Sequence, residues 1–124
     1  MSNPVSAALS TAAVYDGPNI PLVPKFAKVD AAGNGDNEIV AAVAGKKIRV
    51  LAGSLTMTGT LVTIRFESGA GGTALTGQMQ PLAGHTIPIP FCPVGHFETA
   101  VGAALNMELG GAQSVDGWIV YVEV

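Results

Sequence analysis

The chain is predicted to be all-β, an antiparallel sandwich or barrel preceded by an extended N-terminal arm. Three observations carry this. From Lys25 onward, turn signals recur at Gly33-Asn34-Gly35-Asp36, Gly45, Thr58-Gly59, Ser68 to Gly72, Ala83-Gly84, Val94-Gly95 and Gly110-Gly111. Their spacing of roughly 10 to 15 residues is that of short strands joined by tight connections. The runs between them alternate apolar and polar residues with a period of two. Long helical patterns do not alternate with these runs, which argues against a parallel α/β sheet.

Residues 1–24 form the predicted arm and residues 25–124 the β domain. The arm is rich in Ala and Ser, then in Pro across Gly17-Pro18-Asn19-Ile20-Pro21-Leu22-Val23-Pro24. Proline at this density forbids a helix and interrupts any strand ladder. Val5 to Val14 offers at most a weak helical turn. The segment has little to bury alone, so it reads either as a flexible tail or as an arm that orders only by reaching onto a neighbour.

Within the domain, Lys46 to Thr58 begins with Ile48 and Val50 inward and then changes parity to Leu55 and Met57. A bulge is therefore expected at Ala52-Gly53. Thr60 to Glu67 sets Val62, Ile64 and Phe66 against Thr63, Arg65 and Glu67, a half-buried strand. The two runs meet at Thr58-Gly59 and are expected to form a hairpin. Ile87-Pro88-Ile89-Pro90-Phe91 carries prolines that cannot donate to a ladder, so it reads as an edge or an irregular crossover. Phe97 to Leu105 fits either a strand or a helical stripe, and Gly102 weakens the helix. Leu105, Met107 and Leu109 alternate with Asn106 and Glu108. The final run has Trp118, Val120, Val122 and Val124 on one face and Ile119, Tyr121 and Glu123 on the other. Both faces are largely apolar, as for a covered central strand or one whose second face meets another subunit.

Charge is scarce: 12% of residues are ionic, against about a quarter in an ordinary soluble domain. Little charge is available to coat the surface, so neighbouring protein is expected to cover much of it. The net charge is −3, and Lys46, Lys47 and Arg49 are too few for a nucleic-acid footprint. No apolar stretch reaches the roughly 18 residues of a membrane span. Met1-Ser2-Asn3-Pro4 is unlike the basic start of a signal peptide, so synthesis in the cytoplasm is expected. The single cysteine, Cys92, allows no internal disulfide and sits in an apolar, rigid setting suited to packing.

No catalytic, cofactor or metal site is expected. His85 and His96 are the only side chains whose ordinary pKa lies near neutrality. His96 and Glu98 share a strand face, but a metal centre needs three or four ligands. Ser68-Gly69-Ala70-Gly71-Gly72-Thr73 does not have the Lys-Ser or Lys-Thr of a phosphate loop and lies between strands, so it reads as a hairpin loop.

Several segments resemble a group of small tailed-bacteriophage virion proteins. They are Asn34 to Leu51 (NGDNEIVAAVAGKKIRVL), Thr73-Ala74-Leu75-Thr76-Gly77, Pro90 to Ala100 (PFCPVGHFETA) and Val120-Tyr121-Val122-Glu123-Val124, within about residues 22–124. Where that group often has Phe-Asn-Pro-x-Gly-Trp-Phe, this chain has Cys92 and His96 in place of Asn and Trp. The resemblance implies a jelly-roll-like sandwich that acts as a head decoration, or cement, protein. Such a protein sits on the outer surface of the capsid, commonly as a trimer, with the major capsid protein as its partner. The residues expected at a subunit or capsid interface are Val14, Tyr15, Ile20, Leu22 and Val23 of the arm, with Ile119 and Tyr121 of the last strand. A tail, baseplate or fibre module, including a glycan-binding one, is the alternative.

Overall fold

The computed structural model describes residues 14–17, 20–60 and 62–124. Its strands are β1 (Val14–Asp16), β2 (Ile20–Leu22), β3 (Lys25–Ala31), β4 (Gly35–Val40), β5 (Ile48–Met57), β6 (Ile64–Ser68), β7 (Thr73–Ala74), β8 (Thr86–Ile89), β9 (Phe97–Glu98), β10 (Leu105–Leu109) and β11 (Val115–Glu123). The larger sheet has the order β3-β11-β5-β8, with β9 also pairing β5; the smaller has the order β4-β10-β6-β7. Every pairing is antiparallel. From β3 to β6 each strand joins the sheet opposite its predecessor, which is the strand order of a jelly roll. The all-β sandwich is thus the fold, in two separate sheets instead of a closed barrel.

The core lies between the sheets. Val29, Val50, Leu55, Met57 and Ile119 face Ile64, Phe66, Leu105, Met107 and Leu109. The rings of Phe66 and Phe97 stack at 5.0 Å between centroids. Each such buried side chain contributes about 1.5–3 kcal/mol relative to exposure.

Four expectations are corrected. β5 and β6 do not form a hairpin: β5 pairs with β8, β9 and β11, whereas β6 pairs with β7 and β10. Crossing between sheets lets Leu55 and Met57 face Ile64 and Phe66, which a hairpin in one sheet would not. Thr58 N–H bonds the Ser114 carbonyl at 3.1 Å, and Thr60 N–H bonds the Gln113 side chain at 3.1 Å, fixing the crossing. The parity change in β5 also falls slightly earlier than expected. Val120 opposes Ala52 and Tyr121 opposes Val50, so Leu51 is the extra residue. It turns to the outside of the larger sheet.

The arm supplies the third correction. Residues 1–13, including most of the weak helical segment, lie outside the described residues. From Val14 the chain forms the β1–β2 hairpin, pairing Val14 with Leu22 and Asp16 with Ile20. Val14 is fully buried with Leu51 and Val122, and Leu22, Val120 and Val124 pack around them. Through Val14 and Leu22 this stretch packs onto its own domain, while Ile20 and Val23 stay exposed. The Leu51 bulge creates an apolar site that a tethered segment fills without the entropy cost of association.

The fourth correction concerns β11. Ile119 is fully buried in the main core and Tyr121 packs against it. Ile119 therefore has no surface left to meet another subunit and Tyr121 is half-buried, while β11 is the covered central strand, flanked by β3 and β5. At Gly117 (φ +156°) the strands approach so closely that a Cβ would overlap the Ser54 carbonyl oxygen, so only glycine fits there. Pro88 in β8 and Pro90 just after it do mark a sheet edge, and Phe97 to Leu105 contains strand and turn without helix.

Candidate interaction surface

The outer face of the larger sheet follows from the alternation in Lys25-Phe26-Ala27-Lys28-Val29-Asp30-Ala31. Val29 and Ala31 point to the core, so Phe26, Lys28 and Asp30 point out. Register places Phe26 beside Val120 and Lys28 beside Trp118, which in turn lies beside Ser54. Phe26 is 78% exposed and Trp118 49%. Ile20 and Val23, near the start of β3 in sequence, are also exposed. Phe26 and Trp118 are diagonal neighbours across β3 and β11, and adjoining exposed aromatic side chains mark an interaction surface more than isolated ones do.

The expected interface residues thus divide. Ile20 and Val23 are exposed, Tyr15 and Leu22 are half-buried, and Val14 and Ile119 are fully buried. Tyr121 is half-buried against the core. Phe26 and Trp118 were missed. Their signal was present in the sequence, since Phe26 shares parity with Lys28 and Asp30, and Trp118 lies opposite Ile119.

The outer face of the smaller sheet is built differently. Arg65 Nε donates to Glu67 at 2.9 Å, and its terminal nitrogen lies 3.2 Å from Glu108. Asn106 Nδ2 donates to Asp36 at 2.9 Å and to Glu67 at 3.1 Å. Glu67 is fully buried. Burial pushes its carboxyl above the usual range, and a hydrogen bond with Glu108 adds to this, outweighing Arg65. The Arg65 guanidinium is itself raised, chiefly by its hydrogen bond with Glu67. Ligand atoms of Asp36, Glu67 and Glu108 lie within 4.8 Å of one another, a spacing a cation could bridge. Arg65 already supplies positive charge to Glu67 and Glu108, and Asn106 donates to Asp36 and Glu67.

The remaining chemistry is local. Glu98 pairs with Lys47 at 3.0 Å and Arg49 at 2.9 Å. The Lys47 hydrogen bond leads in holding its carboxyl below the usual range. His96 donates from Nε2 to the Pro90 carbonyl at 2.6 Å, so His96 and Glu98 are engaged separately. Cys92 is half-buried in the loop whose amide bonds Leu51. An open groove of about 250 Å³ separates Ile87 and Ile89 from Met79, floored by Leu55 and Phe66. Thr76 and His96 are the polar side chains on its wall, so it has no convergent set of reactive groups.

No family model and no curated protein matches the chain. A solved structure does: a chain of the Bacillus endospore appendages, which form a novel family of disulfide-linked pili. The likeness covers 82% of this chain and 86% of that one, with a TM-score of 0.51 and 20% identity. At that identity the likeness shows a shared β fold.

Proposed function

We propose that the protein is a structural subunit of a virus particle, a decoration protein that binds the outside of a tailed-phage head. Its partner is the major capsid protein, and it acts as a homo-oligomer. The observation that carries this reading is the exposed pair Phe26 and Trp118 on a chain of which only 12% of residues are charged. The sequence resemblance supplies the kind of assembly. A subunit that binds only the expanded lattice stabilises that state by its binding free energy. Symmetry-related copies multiply modest individual contacts through avidity.

The test is co-sedimentation of purified protein with heads that do not carry it. The wild-type chain should pellet with expanded heads. A folded Phe26→Ser/Trp118→Ser variant should bind at least about tenfold more weakly, the scale of losing one hot-spot residue. Gold-labelled antibody found on tails alone would overturn the head assignment and favour the tail or fibre alternative.

A second reading, a filament subunit, is favoured by the fold shared with the pilus chain. Disulfide linkage cannot carry it here. Cys92 is the only cysteine in the sequence, and one thiol bonds one other, so a covalent chain would stop at a pair.

A further inference from the structure

Each of the two sheets has two edges: in the larger, β3 on one side and β8 with the two-residue β9 on the other; in the smaller, β4 and β7. Among the described residues, no strand pairs with the outer side of any of them. An exposed edge is a template for another strand, and proteins commonly blunt it. Three of these four edges are blunted. β7 is two residues long. On β8, the Met57 N–H donates to the His85 carbonyl at 3.0 Å. Alternation then turns Ile87 and Ile89 toward β5 and positions 86, 88 and 90 outward. Pro88 and Pro90 have no N–H, so two of those three outward positions offer no donor. β4 carries Asp36 and Glu38. Antiparallel pairing of two β4 strands about Asn37 would set these carboxylates opposite one another twice, which repels.

β3 is the exception. It is seven residues long and contains no proline. Antiparallel pairing of two copies about Val29 sets Lys28 opposite Asp30 of the partner subunit, and Asp30 opposite Lys28 of the partner subunit. Both side chains are available: they are 80% and 62% exposed, and within one chain they reach only a loose 3.7 Å contact. The same two-fold geometry that repels at β4 therefore attracts at β3. Phe26 shares their outward parity, so pairing would also bring two exposed phenyl rings onto one continuous sheet.

We propose that β3 is a self-association edge, through which two copies pair antiparallel about Val29 and join their larger sheets into one. The partner is a second copy of this chain because the charge pattern is complementary to itself. The association is two-fold, in place of the trimer that the resemblance implies.

Sedimentation equilibrium of the full chain, without heads, tests this apart from shell binding. A concentration-dependent species of twice the 12.5 kDa chain mass is expected. Lys28→Asp or Asp30→Lys alone should each weaken self-association at least about tenfold, because each creates two like-charge pairs. The double variant Lys28→Asp/Asp30→Lys restores both pairs and should return to within about threefold of wild type. Circular dichroism of the single variants checks that they remain folded. A monomer at every concentration overturns the proposal, as does a trimer or dimer indifferent to the charge reversals.

Discussion

The two outer faces of the sandwich handle water in opposite ways. The smaller sheet turns out Asp36, Glu38, Arg65, Glu67, Asn106 and Glu108, and most of these bond one another. The larger sheet turns out Phe26, Lys28, Trp118 and Val120, with the β1–β2 hairpin seated over Leu51 and Val122. The first face completes its own hydrogen bonds and needs no partner. On the second, intramolecular cover runs out before the apolar surface does, leaving Phe26 and Trp118 in solvent. The difference locates the interface by what the chain leaves unfinished.

The largest expected effect separates β11's inward side from its outward side. Ile119→Ala should cost about 4 kcal/mol in denaturant unfolding, the upper range for a fully buried truncation. A cost below about 1 kcal/mol would return Ile119 to the outer face. Next, Leu51→Ala should cost about 2–3 kcal/mol. It should also selectively speed hydrogen exchange in β1 and β2, because Leu51 anchors the hairpin. Unchanged exchange there would show that the hairpin is held by something else.

Acid-base behaviour sharpens the comparison from the polar side. Glu67 has a raised folded pKa, so its stabilising contribution is full below the unfolded carboxyl pKa and is lost as pH rises through the folded value. Glu67→Gln should therefore raise the unfolding temperature at pH 7, with the gain vanishing near about pH 4, where the wild-type carboxyl is itself protonated. Glu98 has a lowered folded pKa and behaves in reverse. Glu98→Gln should cost about 0.5 kcal/mol at pH 7, a partly exposed pair being weak, and the difference should fade on acidification. Thermal melts across pH check both signs. The smallest effect belongs to the apolar face: Phe26→Ser and Trp118→Ser should each change monomer stability by no more than about 0.5 kcal/mol.

Much of this architecture was readable in the chain. The alternation of Val62, Ile64 and Phe66 marked an inward strand face, and Pro88 and Pro90 marked an edge, because both signals come from local backbone chemistry. The orientation of β11 was not readable. Ile119 and Trp118 are both apolar, so alternation separates the faces without saying which one meets the core; pairing with β3 and β5 decides that. The β5–β6 hairpin failed for a related reason, since Thr58-Gly59 permits a tight turn and equally a crossing between sheets. Glu67 has the outward parity of a solvated residue. Its burial depends on Asn106 and Arg65, and Asn106 comes from a strand distant in sequence. Phe26 shares parity with Lys28 and Asp30, yet that signal went unused, because an exposed phenyl in an alternating run looks no different from a buried one until Val29 and Ala31 are seen in the core.

Trp118 is the only tryptophan, and it stands on the face assigned to the partner. Replacing it biosynthetically with 5-hydroxytryptophan allows its emission to be followed against the shell. Acrylamide should quench the free protein readily, and binding to expanded heads should blue-shift the emission and suppress most of that quenching. Equal quenching in the free and head-bound states would contradict the assignment of this face to the capsid.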